Sequence, residues 1–201
     1  MIRRASILAA WAAWSLLLLV SPRVAHAAIL TFDDIPGGLA PVPNGYGGLN
    51  WDQFNVHDKQ LPGTGYFNGV VSGTHVAYNN NGALATVLGG LFNFNAAYLT
   101  GAWNNGLNVK VDGYVGPTQI YTKTTLVNVS GPTLVNFNFV GIDRLVFTSF
   151  GGTPDPIAAN SGSGNHFVMD DFNYTVPEPA SFSLACVAAG WLPLRRASRR
   201  A

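Results

Sequence analysis

Apolar and polar residues alternate with a period of two through much of this chain. Leu107, Val109 and Val111 are interleaved with Asn108, Lys110 and Asp112, and Val135, Phe137 and Phe139 with Asn136 and Asn138. That period places the apolar side chains on one face of an extended strand. The central region has no stretch with apolar spacing of three and four over several turns, which would mark an amphipathic helix. The pattern predicts nine short strands, at 29–33, 50–56, 75–78, 91–103, 107–112, 119–129, 135–139, 143–149 and 166–174. Turn clusters separate many of them: Pro43-Asn44-Gly45, Asn79-Asn80-Asn81-Gly82, Asn104-Asn105-Gly106, Gly116-Pro117 and Ser130-Gly131-Pro132. Asn-Gly steps adopt the positive φ angles that tight hairpins need. Short strands punctuated in this way predict an all-β fold, a single jelly-roll-like β-sandwich over residues 28–175. Ser161-Gly162-Ser163-Gly164 reads as a flexible loop within it.

The two ends break the pattern. At the front, Arg3 and Arg4 precede a continuous apolar run over 7–20, Ser21-Pro22 interrupts it, and Ala25-His26-Ala27 supplies a small-x-small site. This predicts a secretory signal peptide over residues 1–27, cleaved after Ala27, with an uncleaved membrane anchor as the alternative. Arg3-Arg4 hints at twin-arginine export, but the surrounding residues fit that motif poorly, so the general secretion machinery is the expected route. At the back, over residues 176–201, the order is reversed. Val176-Pro177-Glu178-Pro179-Ala180-Ser181 leads into an apolar run over 182–194, and Arg195-Arg196 and Arg199-Arg200 follow. The prolines stop the last strand. The arginines favour the cytoplasmic side.

In its three parts (Pro-Glu-Pro, short hydrophobic helix, basic tail) this end resembles the PEP-CTERM sorting signal. The resemblance implies that Pro177, Glu178 and Pro179 are recognised by an exosortase-type processing enzyme. It also implies a transient stay in the inner membrane of a Gram-negative, polysaccharide-producing cell, held by the apolar helix with Arg195 and Arg196 at its cytoplasmic end. The destination is then the cell surface or the extracellular matrix. Residues 181–194 as a helix span ~21 Å, short of the ~30 Å hydrocarbon core, which suits a temporary handle better than a permanent anchor.

Charge changes the picture once the ends are set aside. The whole chain has a formal net charge of +1, but residues 28–175 hold four bases and nine acids, leaving about −5. A mildly acidic body argues against nucleic acid, which needs clustered Lys and Arg. The one cysteine, Cys186, lies in the C-terminal apolar run, so the body forms no internal disulfide and depends on its core.

Candidate chemistry is sparse. Glu178 is the single glutamate, and His57, His75 and His166 have no metal-ligand spacing. There is no Gly-x-Ser-x-Gly elbow. No catalytic residue is assigned, and the expectation is a protein that is not an enzyme. The acidic pairs Asp33-Asp34 and Asp170-Asp171 fall on the predicted first and last strands, which often come close in jelly rolls. Carboxylates gathered there would repel unless a cation joined them, so Asp33 or Asp34 with Asp170 or Asp171 are the candidate ligands of a structural calcium ion. The alternative is solvated strand-end aspartates and turn caps. The parity of the last strand changes between Met169 and Phe172, which places a bulge near Asp170 unless both faces are covered. No other cofactor is expected.

Sugar rings stack on flat aromatic faces while amides and carboxylates bond their hydroxyls. Trp51, Trp103 with Asn104, and Tyr78 with Asn80 combine these groups at loop-like positions and are candidate ligand-binding residues. The alternative is that the tryptophans fill the core. The strand arrangement and its acidic first and last strands resemble the galactose-binding-like jelly rolls among carbohydrate-binding modules. The expectation is therefore an exported, non-catalytic surface or matrix protein that is structural or binds extracellular polysaccharide. The alternative is a secreted polysaccharide hydrolase with aspartate catalysts.

Overall fold

The computed structural model describes residues 26–177, and the alternating segments are strands in it. In chain order these are β1 (His26–Leu30), β2 (Asn50–Asp52), β3 (Phe54–Asp58), β4 (His75–Asn79), β5 (Ala85–Gly101), β6 (Asn104–Asn105), β7 (Leu107–Val115), β8 (Thr118–Val127), β9 (Thr133–Phe150), β10 (Thr153–Pro154) and β11 (Phe167–Val176). Among the described residues helix is confined to one turn, α1 (Gly65–Asn68), and three short 3-10 turns. Among the described residues no helix is long and apolar enough to cross a membrane; the C-terminal apolar run lies outside them.

The main sheet is antiparallel in the order β3-β4-β11-β5-β9-β7-β8, with β1 beside β11 and β2 beside β5. It becomes a sandwich because its two longest strands bend. The first part of β5 pairs Ala85–Leu88 with Phe147–Arg144 of β9, and the second pairs Phe92–Leu99 with Ile142–Thr133. The register shifts between them, where Gly89, Gly90 and Gly141 (φ 66°) stand. One layer then holds β3, β4, β1, β11 and the inner ends of β5 and β9. The other holds β2, the remaining ends of β5 and β9, β7 and β8. Aromatic side chains lock the layers face to face. Phe147 packs against Phe54 at 5.4 Å, Phe167 at 5.7 Å and Phe94 at 6.2 Å. Phe94 is stacked between Phe137 (4.5 Å) and Phe172 (4.6 Å). The all-β sandwich expected from the alternation is the fold observed.

Several boundaries differ from the periodic reading. The first strand ends at Leu30, because Phe32 turns into the left-handed region (φ 63°), so Asp33 and Asp34 lie in a turn and not on a strand. The predicted strand 50–56 breaks at Gln53 (φ 56°), which lets β2 and β3 enter different layers. The segments 135–139 and 143–149 are one strand, β9, continuous through the bend at Gly141. The bulge near Asp170 is present: the β11 register shifts between Asp170 and Asn173, with Asp171 at φ 49°. The free edge of β9 is capped where Lys123 Nζ donates to the Asn136 carbonyl at 2.6 Å, one way that proteins blunt exposed strand edges.

Candidate functional site

β4 and the first part of β11, residues 167–170, are buried on both faces. Ala77, Phe167 and Met169 point into the sandwich, whereas Val76, Tyr78 and Val168 point outward into a second apolar cluster with Tyr66, Ala102, Trp103, Val129 and Ala158. The cover consists of α1 and the loops around it. Gly65 lets α1 sit this close, since a Cβ there would lie 2.0 Å from the Gly101 carbonyl oxygen.

This outer cluster is a ladder of rings. His57 stacks on Tyr66 at 4.4 Å, and Tyr66 meets Tyr78 and Trp103 edge-on, each at 5.2 Å. The Tyr66 hydroxyl donates to His166 Nδ1 at 2.8 Å, taking that nitrogen as the acceptor of a neutral imidazole. Burial holds His166 below its ordinary value and pushes the Tyr66 phenol well above its own, so both stay uncharged. Trp103 Nε1 is buried with no acceptor among the described residues. An unmet buried donor costs about 1–3 kcal/mol.

The His57 end of the ladder opens into a cleft of about 460 Å³ lined by Gly38, Leu39, His57, Asp58, Gln60 and Leu61. Gln60 Nε2 donates to Asp58 Oδ2, which orients the carboxylate. A Cβ on Gly38 would sit 3.1 Å from Asp58 Oδ1, so the bare glycine leaves that oxygen room. Leu39 is the unusual wall. Its backbone is left-handed (φ 67°), yet its side chain is 62% exposed. A non-glycine residue pays about 1–2 kcal/mol for that conformation, and the fold imposes it through Leu39 N–H on the Val56 carbonyl at 2.7 Å and Asn55 Nδ2 on the Leu39 carbonyl at 3.3 Å. Strained backbone beside a concave surface is a mark of ligand sites.

The residues singled out in the sequence are scattered across this architecture. Trp51 lies in the inter-layer core at 5% exposure, its Nε1 donating to the Tyr46 carbonyl and its ring edge-on to Phe54 and Phe172, so its face is unavailable to a ligand. Asn80 is half-buried in the turn after β4, its backbone N–H bound to Gln53 O. Tyr78, Trp103 and Asn104 do converge, but inside the outer cluster and nearly covered. No motif in the sequence singles out His57, Asp58, Gln60 or Leu39. His57, Asp58 and Gln60 are close neighbours in the sequence, which is a legible signal, whereas nothing in the sequence marks Leu39.

The four aspartates are not gathered into one cation site. Asp170 and Asp33 instead grip the two ends of one loop, 71–75. Asp170 Oδ2 accepts from the N–H of Val71 (2.7 Å) and Ser72 (3.0 Å), and Asp33 Oδ1 from the N–H of Thr74 (2.6 Å) and His75 (3.0 Å). Gly73 between them is required, since a Cβ would fall 2.1 Å from the Asp33 carboxylate. Asp34 takes the Tyr46 hydroxyl at 2.7 Å and Asp171 the Ser72 hydroxyl at 2.6 Å. Backbone N–H groups and hydroxyls thus meet oxygens of all four carboxylates. Among the described residues no group of three or more His, Cys, Asp or Glu side chains is placed to hold a metal ion. A thermal melt is expected to keep the same midpoint with calcium and with excess chelator; a chelator-induced drop would restore the metal.

Of the sorting residues, Ala27 lies in β1 opposite Thr175, and Pro177 directly follows β11. Ala25, Glu178, Pro179, Arg195 and Arg196 lie outside the described residues.

No family model matches this chain, and no curated protein is similar to it in sequence. Among solved structures it is similar to one described as TmCBM61 in complex with beta-1,4-galactotriose, at 11% identity and a TM-score of 0.35, over 68% of this chain and 95% of that one.

Proposed function

We propose that this chain is an exported, non-catalytic cell-surface or extracellular-matrix protein whose sandwich binds polysaccharide in the cleft between residues 38–39 and 57–61. The observation that carries the binding reading is the pairing of a strained, exposed Leu39 with an oriented Asp58 carboxylate across one concave surface. An aliphatic wall accepts the C–H face of a sugar, and Asp58, Gln60 and the His57 imidazole offer acceptors and donors to its hydroxyls. The cleft lining carries one carboxylate, Asp58. Glycoside hydrolysis through general acid and base needs two, which favours binding over the hydrolase alternative. Export rests on the two ends: the general secretion machinery would act on residues 1–27 and an exosortase-type enzyme on the Pro177-Glu178-Pro179 segment, after transient membrane anchoring.

Affinity electrophoresis of the protein through gels containing neutral and acidic bacterial polysaccharides tests the binding reading. Wild type is expected to be retarded by at least one polymer. Asp58→Ala should weaken that binding about tenfold, the size of a lost hydrogen bond to a charged group. Free migration of wild type through the whole panel would overturn the reading.

A further inference from the structure

Beyond the cleft, the other end of the ring ladder is closed by the loop Ser161-Gly162-Ser163-Gly164, and the closure is made by bare backbone. A Cβ on Gly162 would lie 2.5, 2.7 and 2.9 Å from Trp103 Cζ2, Cη2 and Cε2. Only glycine can lie this close to the indole, and it covers the ring beside Nε1, the buried donor without an acceptor. Gly164, at φ 104°, sits over the neighbouring imidazole, its Cβ position 3.4 Å from His166 Cδ2 and 3.6 Å from Nε2.

The loop is held mainly at its ends. Ser161 N–H donates to the Ala158 carbonyl at 2.9 Å, and the Asn104 amide donates to the Gly164 carbonyl at 3.2 Å and to Asn165 Oδ1 at 3.3 Å. No hydrogen bond joins Gly162 or Ser163 to another described residue. Two glycines and few bonds make a segment whose opening costs little relative to global unfolding.

We propose that Trp103 floors a saccharide-binding subsite for which the loop 161–164 is the lid. Lifting the loop uncovers one flat indole face, the Nε1 donor, the Asn104 amide now free of Gly164, and His166 Nε2. A flat aromatic surface ringed by uncharged donors and acceptors is the chemistry of a pyranose: its C–H face lies on the ring and its hydroxyls take the polar groups. The closed state leaves an indole N–H unmet, and a bound sugar hydroxyl supplies its acceptor, so ligand and lid opening are coupled. The ligand class rests on the polysaccharide reading above. The place does not, since Trp103 lies across Tyr66 from His57 and the cleft.

The test uses the full chain and follows the Trp103 indole N–H by NMR, assigned by its loss in Trp103→Phe. In wild type this proton is expected to exchange with solvent at least about a hundredfold faster than global unfolding allows. Gluco-, manno- or galacto-oligosaccharides should shift its resonance. Gly162→Ala, which forces the loop from the ring, should tighten that sugar about fivefold or more by removing the cost of opening. Asp58→Ala should leave the shift in place. If the indole proton exchanges only with global unfolding, the lid does not open and the proposal falls, and this result stands even if Gly162→Ala fails to fold. If the proton exchanges rapidly and no oligosaccharide moves it, the subsite falls. Retardation in polysaccharide gels that Asp58→Ala weakens, with a silent Trp103, would retain the cleft and reject the subsite.

Discussion

Phe94→Ala is expected to lower the unfolding free energy by about 3–5 kcal/mol, the range for removing a large aromatic from a packed interior. Phe94 is fully buried and is sandwiched between Phe137 and Phe172, with Phe139 and Phe147 edge-on at 6.5 and 6.2 Å. It therefore touches both halves of β9, its own layer and the opposite one. Deleting the ring leaves a cavity walled by four aromatics whose backbones are tied into ladders and cannot collapse inward. Urea denaturation followed by circular dichroism measures the loss. Leu134→Ala is the control, on the outer side of the same strand pair at 51% exposure, and should stay within about 0.5 kcal/mol. A loss at Phe94 no larger than at Leu134 would mean that the layers do not meet there.

Asp170→Ala should cost about 3 kcal/mol, because it strips the acceptor from the N–H groups of Val71, Ser72 and Asp171 together. The effect should begin locally. The loop 71–75 leads from α1 to β4, so its release uncovers Val70 and Tyr66, and limited proteolysis should cut there before the sandwich unfolds. The same carboxylate gives a pH signature. Burial pushes Asp170 up to about 6, against an ordinary value of 3.8, even though three backbone N–H groups pull the other way. A group that binds its proton more tightly when folded stabilises the fold in acid. Its contribution is complete below about pH 4 and is lost as the pH rises through about 6. Acidifying from pH 7 to 5 should therefore stabilise wild type relative to Asp170→Asn, which has no proton to take up there. Identical pH profiles for the two proteins would refute the assignment. Asp33, at the other end of the loop, has the opposite sign. Burial would raise it, but the N–H groups of Thr74 and His75 leave it below its ordinary value, so its support is present above about pH 4 and disappears in stronger acid.

The strands were largely legible because a period of two is written into each segment locally. Val135, Phe137 and Phe139 are buried and Asn136 and Asn138 exposed, as alternation requires. The bulge at Asp170 was legible for the same reason, since a change of parity must be absorbed somewhere. The two strand boundaries that differ fall where single residues turn left-handed without glycine, Phe32 and Gln53, and Leu39 shares that conformation. Nothing local distinguishes them, because the conformation is imposed by distant partners, as the Val56 carbonyl imposes it on Leu39. The acidic pairs are legible as unusual; what faces them is not. A sequence displays carboxylates but not the backbone N–H groups that will face them, and here one loop supplied four.

Alternation, turn chemistry, the segregation of charge and the order of the two ends belong to the sequence alone, since each depends on neighbours within a few residues. Which side of a strand a residue occupies follows from that pattern. What lies against that side does not. Trp51 and Trp103 are equally plausible surface platforms in the sequence, yet topology sends one between the layers and the other into a second cluster under a glycine. The Tyr66–His166 bond joins residues 100 apart in the chain. Such contacts exist because β4 and β11 became neighbours and needed a cover on their outer face. That decision is made by the packing of the whole sheet.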